Sequence, residues 1–171
     1  KVEILKKLSK DRLSLNLIFM IFPELKNINI FSKLNIEDKN FLEEKDFIFL
    51  LSLLIVDDTD NADYFFYKFN ISKKDQKRIK NIDNFFKDKI GSKTFTEQNM
   101  NKIFYYHGRE TVLDILGHRI IKLKKNNNFL HELLKHFVNS KEPKMPVNAD
   151  TLINKYEISE GKKLGEKLKI I

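Results

Sequence analysis

The 171-residue chain has no cysteine, 3 prolines and 5 glycines. Without cysteine there are no disulfides, thiolate metal sites or cysteine nucleophiles, which suits a reducing compartment, and a cytoplasmic location is the expectation. Scarce proline and glycine leave little turn chemistry. That argues against a β-sandwich or barrel and against a glycine-cradled nucleotide fold. Long hydrophobic runs are missing too. The most apolar stretch, Phe47 to Val56, is about half of the ~20 residues that cross a bilayer, and it is bounded by Glu43, Glu44, Lys45 and Asp46 on one side and by Asp57 and Asp58 on the other. It reads as a buried helix, with no membrane partner.

With 42% hydrophobic and 33% charged residues, the chain can bury a core in one globular domain or two small ones. Apolar residues recur at helical spacing along nearly its whole length, so the expected class is all-α: an elongated multi-helix body followed by a short basic helical tail. The net charge of +8 is uneven: residues 119–171 carry 12 basic and 6 acidic side chains, residues 1–118 carry 20 and 18. A basic final third on a balanced body points to a polyanionic partner, nucleic acid before anionic membrane, against a plain lysine-rich composition.

Val2, Ile4, Leu5 and Leu8 form a first helical stripe, and Leu13, Leu17, Met20 and Ile21 a second that stops at Pro23, where Phe22-Pro23-Glu24-Leu25 makes a corner. One long helix is expected from about Glu37 to Val56. Asp57, Asp58, Thr59 and Asp60 then supply acidic groups for a helix carrying Tyr64, Phe65, Phe66, Tyr67 and Phe69, whose aromatic density implies burial on more than one side. Ser72 and Asp75 have capping-box form and open a helix with Ile79, Ile82, Phe85 and Phe86 inward, ending at Gly91-Ser92. Further helices are expected near Thr96–Tyr106, Gly108–Lys125 and Asn128–Asn139, then an extended connector at Glu142-Pro-Lys-Met-Pro146, a helix near Ala149–Lys155 and another from Gly161 onward. The chain begins at Lys1 inside a helical pattern, with no signal-peptide pattern, which fits a fragment of a longer protein.

Catalytic motifs are few. The acids Asp57, Asp58, Asp60 and Asp63 lie between two helices, where the helix dipole favours them, and without the strand and phosphate-holding turn of a two-metal site. His131 and His136 are five apart, which turns them roughly 140° away from each other on a helix, so they do not share one metal. No Gly-x-Ser-x-Gly occurs, and the 15 Phe and 5 Tyr sit at core-like spacing. Neither a catalytic residue nor a metal ligand is expected. Basic side chains gather at helix ends instead: Lys73, Lys74, Lys77, Arg78 and Lys80 near one, Arg119, Lys122, Lys124 and Lys125 at another, and Lys162, Lys163, Lys167 and Lys169 in the last. Such groups hold phosphates, fixing position without reading sequence.

The tail carries a resemblance. Pro143-x-Met145-Pro146-Val147-Asn148-Ala149-Asp150-x-Leu152-Ile153, then Ile158-Ser159-Glu160-Gly161 and Leu164-Gly165, resembles the C-terminal signature of bacterial CCA-adding tRNA nucleotidyltransferases and their poly(A) polymerase relatives. Glu3 to Leu8 with Ile21-Phe-Pro-Glu-Leu25 resembles that family's neck helix and its following corner. Phe69-Asn-Ile-Ser72-Lys-Lys-Asp75 resembles its capped basic body helix, and Gly108-Arg109-Glu110 with Val112, Leu113, Asp114 and Leu116 a later one. Ala149 stands where the family has its first tail glycine, Thr151 where it has an aspartate, and Lys162 where it has a proline.

The resemblance implies three parts: the end of the neck and RNA-binding helices over 1–34, the helical body over 35–141 and the basic tail over 142–171. It further implies a tRNA-binding region that grips the acceptor arm and elbow. The family's catalytic head, with a Gly-Ser turn leading into an Asp-x-Asp metal pair, precedes the matched region and would lie upstream of Lys1. Mg and CTP or ATP belong to that head, so no cofactor is expected here and no catalysis by these residues alone. The residues expected at phosphates are Lys73, Lys74, Lys77, Arg78, Arg119, Lys122, Lys162 and Lys163. The competing expectation is a helical protein-interaction module whose lysines only solubilise it.

Overall fold

Helix starts along this chain are set by side chains that accept the orphan backbone N–H groups of a first turn. Asp11, Asn35, Asp46, Thr96 and Asn127 each do this for the residue three positions on. In a computed structural model, which describes residues 1–87, 95–123, 127–142, 149–156, 161, 162 and 165, the result is all-α. The helices are α1 (Val2–Leu8), α2 (Arg12–Ile21), α3 (Ile36–Glu43), α4 (Phe47–Ile55), α5 (Asn61–Lys68), α6 (Lys73–Lys87), α7 (Glu97–Lys122), α8 (Asn128–Asn139) and α9 (Ala149–Tyr156), with a 3-10 helix at Ile28–Lys33. No strand occurs among the described residues.

Two units make up the chain, Lys1–Ser140 and Lys141–Ile171. In the first, α4 runs through the centre and is buried from Phe49 to Ile55. The same core cluster contains Ile28, Phe31, Leu42, Ile79, Ile82, Met100, Leu116 and Phe137. Val2 belongs to the same cluster, so residues 1–34 share one core with the body that follows them. The second unit contains α9. The connector at 143–148, and the final helix apart from Gly161, Lys162 and Gly165, lie outside the described residues, as does the Gly91-Ser92 stop.

The long helix expected from Glu37 to Val56 is two helices. Asp46 Oδ1 accepts the Phe49 N–H at 2.8 Å, a local bond that competes with continuing the helix and starts α4 afresh. The Pro23 corner is present and tied down. Asn61, buried, donates through Nδ2 to the Glu24 and Ile55 carbonyls, both at 2.7 Å, joining the corner to the end of α4. Ser72 Oγ accepts the Asp75 N–H at 3.2 Å and donates to its carboxylate at 2.6 Å, the expected cap of α6. In α7 the break expected at His107-Gly108 is a kink, with Gly108 at φ 81° and ψ 173°. Only glycine holds that conformation without strain.

Two amphipathic readings are corrected. In α2 the stripe Leu13, Leu17, Met20 and Ile21 faces outward, at 75%, 59%, 79% and 59% exposure, while Leu15, Ile18 and Phe19 pack on the core. In α5 Asn61, Ala62, Phe65 and Phe66 turn inward; Tyr64 and Tyr67 are exposed. Each helix offers two apolar faces at equivalent spacing, and neighbouring helices choose between them.

Candidate nucleic-acid interface

The eight basic residues expected at phosphates separate by environment. Lys73, Lys74 and Lys77 all lie exposed on the first turns of α6. None of the three has a carboxylate partner among the described residues.

Arg78, the next residue, faces the other way. Its Nε donates to Asp114 Oδ2 at 2.7 Å and its Nη2 to Asp114 Oδ1 at 3.1 Å, while Nη1 donates to Asp46 Oδ2 at 2.5 Å and lies 3.2 Å from Glu110. Three carboxylates occupy this guanidinium, and its bonds to Asp114 and Asp46 hold it protonated against its partial burial. It is a clasp between the start of α4, α6 and α7, so the guanidinium expected at a phosphate is engaged with carboxylates of the chain itself.

Lys122, also expected at a phosphate, is engaged within the fold as well. Its Nζ donates to the Val56 carbonyl at 2.8 Å, and burial pushes its pKa below the ordinary lysine value. Asn27 Nδ2 donates to the same carbonyl at 2.7 Å, so both side chains close the C-terminal end of α4. Arg119 is half-buried, its guanidinium 5.5 Å from the Phe95 ring centre. Lys162 is exposed in the second unit, and Lys163 lies outside the described residues. The structure therefore brings together Lys73, Lys74 and Lys77 on one helix start.

Three of the four acids in the cluster pair with lysines. Asp57 accepts from Lys26 at 3.0 Å, Asp63 lies 2.8 Å from Lys80, and Asp60 lies 3.2 Å from Lys87. Lys87 also reaches Asp83 at 2.8 Å, a hydrogen bond that raises the lysine's pKa, while burial raises that of Asp83. No group of three or more His, Asp or Glu stands at metal-holding spacing among the described residues. His131 and His136 sit on the regular helix α8. Among the described residues no helix is long and apolar enough to cross a membrane.

The pairs Asp60–Lys87 and Asp63–Lys80 tie α5 to α6, and Lys87 Nζ also lies 3.9 Å from Asp63. Tyr67 is 94% exposed and Tyr64 69%. The aromatic spacing predicts burial for both tyrosines along with the phenylalanines. The distinguishing signal was their hydroxyl, which makes tyrosine tolerate a wet position that phenylalanine does not.

A cleft of about 550 Å³ opens elsewhere on the same unit, lined in part by Asn29, Lys33, Glu37, Asp38 and His131. Several of its polar groups already serve the backbone: Asn35 and Asn127 cap α3 and α8. Compared with protein-family models, curated proteins and solved structures, the chain has no match.

Proposed function

We propose that these residues are a tRNA-binding region of a template-independent nucleotidyltransferase that adds CCA or poly(A) to RNA 3′ ends, with catalysis residing in a head domain upstream of Lys1. The observation that carries the reading is the unneutralised trio Lys73, Lys74 and Lys77 at the start of α6. It stands in the segment that resembles the family's capped basic helix, and its neighbours Arg78, Lys80 and Lys87 are all consumed by carboxylates. Lysines left exposed at a helix start bind phosphates by charge and shape, as RNA helices require. The all-α fold and the Pro23 corner after α2 are in keeping with this reading. tRNA affinity measured by fluorescence anisotropy across a salt series tests it. Affinity should fall steeply with salt, each phosphate-contacting lysine adding about one unit to the slope; an absence of salt-dependent tRNA binding overturns it.

A second reading, a helical protein-interaction module, is favoured by the outward stripe of Leu13, Leu17, Met20 and Ile21. Charge reversal at Lys162 and Lys163 separates the two. Loss of RNA affinity supports the first, and partner binding that persists through α2 supports the second.

A further inference from the structure

The outward face of α2 is apolar and carries almost nothing else. Leu13, Leu17, Met20 and Ile21 are each more than half exposed, and at positions i, i+4, i+7 and i+8 they form one strip along the helix. In α2 beyond Arg12, Asn16 is the only exposed polar residue. Between Arg12 and Glu24 the chain has no charged residue, although 33% of all its residues are charged. The four side chains leave about 500 Å² in water, at the upper end of what a monomer carries as one apolar patch. A partner of opposite charge gains nothing from such a strip, whereas a second copy meets it without setting its own excess of +8 against itself there. The exposed positions of α2, namely 12, 13, 16, 17, 20 and 21, lie evenly about the point between Asn16 and Leu17. Two copies laid antiparallel about a twofold axis through that point set Leu13 against Met20 of the second copy and Asn16 against its Leu17. Ile21 then lies along the aliphatic stem of the second copy's Arg12. The contact removes about 1,000 Å² in total, near the smallest area at which specific pairs form, so the pairing is weak and concentration-dependent.

We propose that α2 is a self-association surface, through which two copies of the chain pair antiparallel by Leu13, Asn16, Leu17 and Met20. The pairing does not depend on RNA binding, and it gives the outward stripe a defined occupant. Asn16 falls beside the axis, close to its own copy, where an amide pair fixes the register at some cost in affinity. Salt separates this contact from a phosphate contact. It screens the repulsion between two positively charged copies and strengthens the pair, while it weakens lysine–phosphate binding.

The test is sedimentation velocity of the whole chain over a concentration series from about 5 to 500 μM, at low and high salt. The mass should rise from 20.4 kDa toward twice that value, with a midpoint on the order of 10–100 μM. Leu17→Glu sets two carboxylates against each other at the axis and should stay at 20.4 kDa throughout. Position 17 is exposed, so the variant keeps its fold, which circular dichroism at the lowest concentration checks. The chain has no cysteine, so single introduced thiols report the pairing. On oxidation Asn16→Cys should give a linked dimer; Leu13→Cys and Met20→Cys should each fail alone, and their mixture should link. A wild type that stays at 20.4 kDa overturns the proposal and leaves the strip to some other partner. A dimer that survives Leu17→Glu overturns it by placing the interface elsewhere, and Met20→Cys linking to itself overturns it by making the helices parallel. Mass climbing past two copies means an open head-to-tail contact and overturns the closed pair. With tRNA binding measured alongside, a dimer without tRNA affinity rejects only the RNA reading, and tRNA affinity in a strict monomer rejects only the pairing.

Discussion

Arg78 closes on Asp114 in a two-pronged contact, Nε to Oδ2 at 2.7 Å and Nη2 to Oδ1 at 3.1 Å, with 15% of the arginine side chain and 5% of the aspartate exposed. Truncating one partner strands the other charge in a poorly hydrated site. Arg78→Ala and Asp114→Ala should each cost about 3 kcal/mol of unfolding free energy. The double variant should cost clearly less than the two together, because the stranded charge is gone. Urea denaturation of the three variants measures this. Equal and additive small losses would mean that the clasp contributes little.

His118 is fully buried, and burial, aided by the nearby Lys122 charge, pushes its pKa down to about 3. The ring is therefore neutral, and its Nε2–H donates to the Ser52 carbonyl at 3.3 Å. The unfolded chain takes up this proton near pH 6.5 and the folded chain does not, so stability is complete above that pH and declines as pH falls toward 3. The expected loss from this one group is about 1.4 kcal/mol per pH unit, or 2–3 kcal/mol by pH 4.5. Denaturation midpoints of wild type and His118→Gln between pH 7 and pH 4.5 check it: the variant should lose that part of the slope.

Two glycines of α7 are required for different reasons. A Cβ on Gly117 would lie 3.0 Å from Phe41 Cζ and 3.1 Å from Phe49 Cζ, whereas one on Gly108 would meet nothing within 4 Å. Gly117→Val should cost about 2–3 kcal/mol by overpacking the two rings. Phe41→Leu should recover part of that loss. Gly108→Ala should cost about 1–3 kcal/mol from backbone strain alone, and no repacking variant should rescue it.

Leu13 and Met20 on α2 are exposed, so Leu13→Gln and Met20→Gln should leave the thermal midpoint unchanged within about 0.5 kcal/mol of stability while lowering binding of a hydrophobic dye. A large drop in stability would place these side chains in the core.

The helical class, the Pro23 corner, the Ser72 cap, the break at Gly108 and the span of α8 were all legible in the residues, because each rests on chemistry within about four positions of the chain. The split at Asp46 was local too, but an aspartate inside a long apolar pattern reads equally as a surface residue, and only the bond to Phe49 decides. The basic groups were harder. Lys77 and Arg78 are adjacent in sequence and similar in charge, yet one faces water and the other three carboxylates drawn from α4 and α7.

What the sequence determined by itself is therefore where helices start, stop and bend, and that positive charge exceeds negative. Only the tertiary structure decided which face of α2 and of α5 turns inward, and which cations are left without a carboxylate among the described residues. Helical periodicity is satisfied by either of two apolar faces, and a charge is neutralised by whatever lies across the packing interface. Both outcomes depend on residues distant in the chain, where no local pattern can register them.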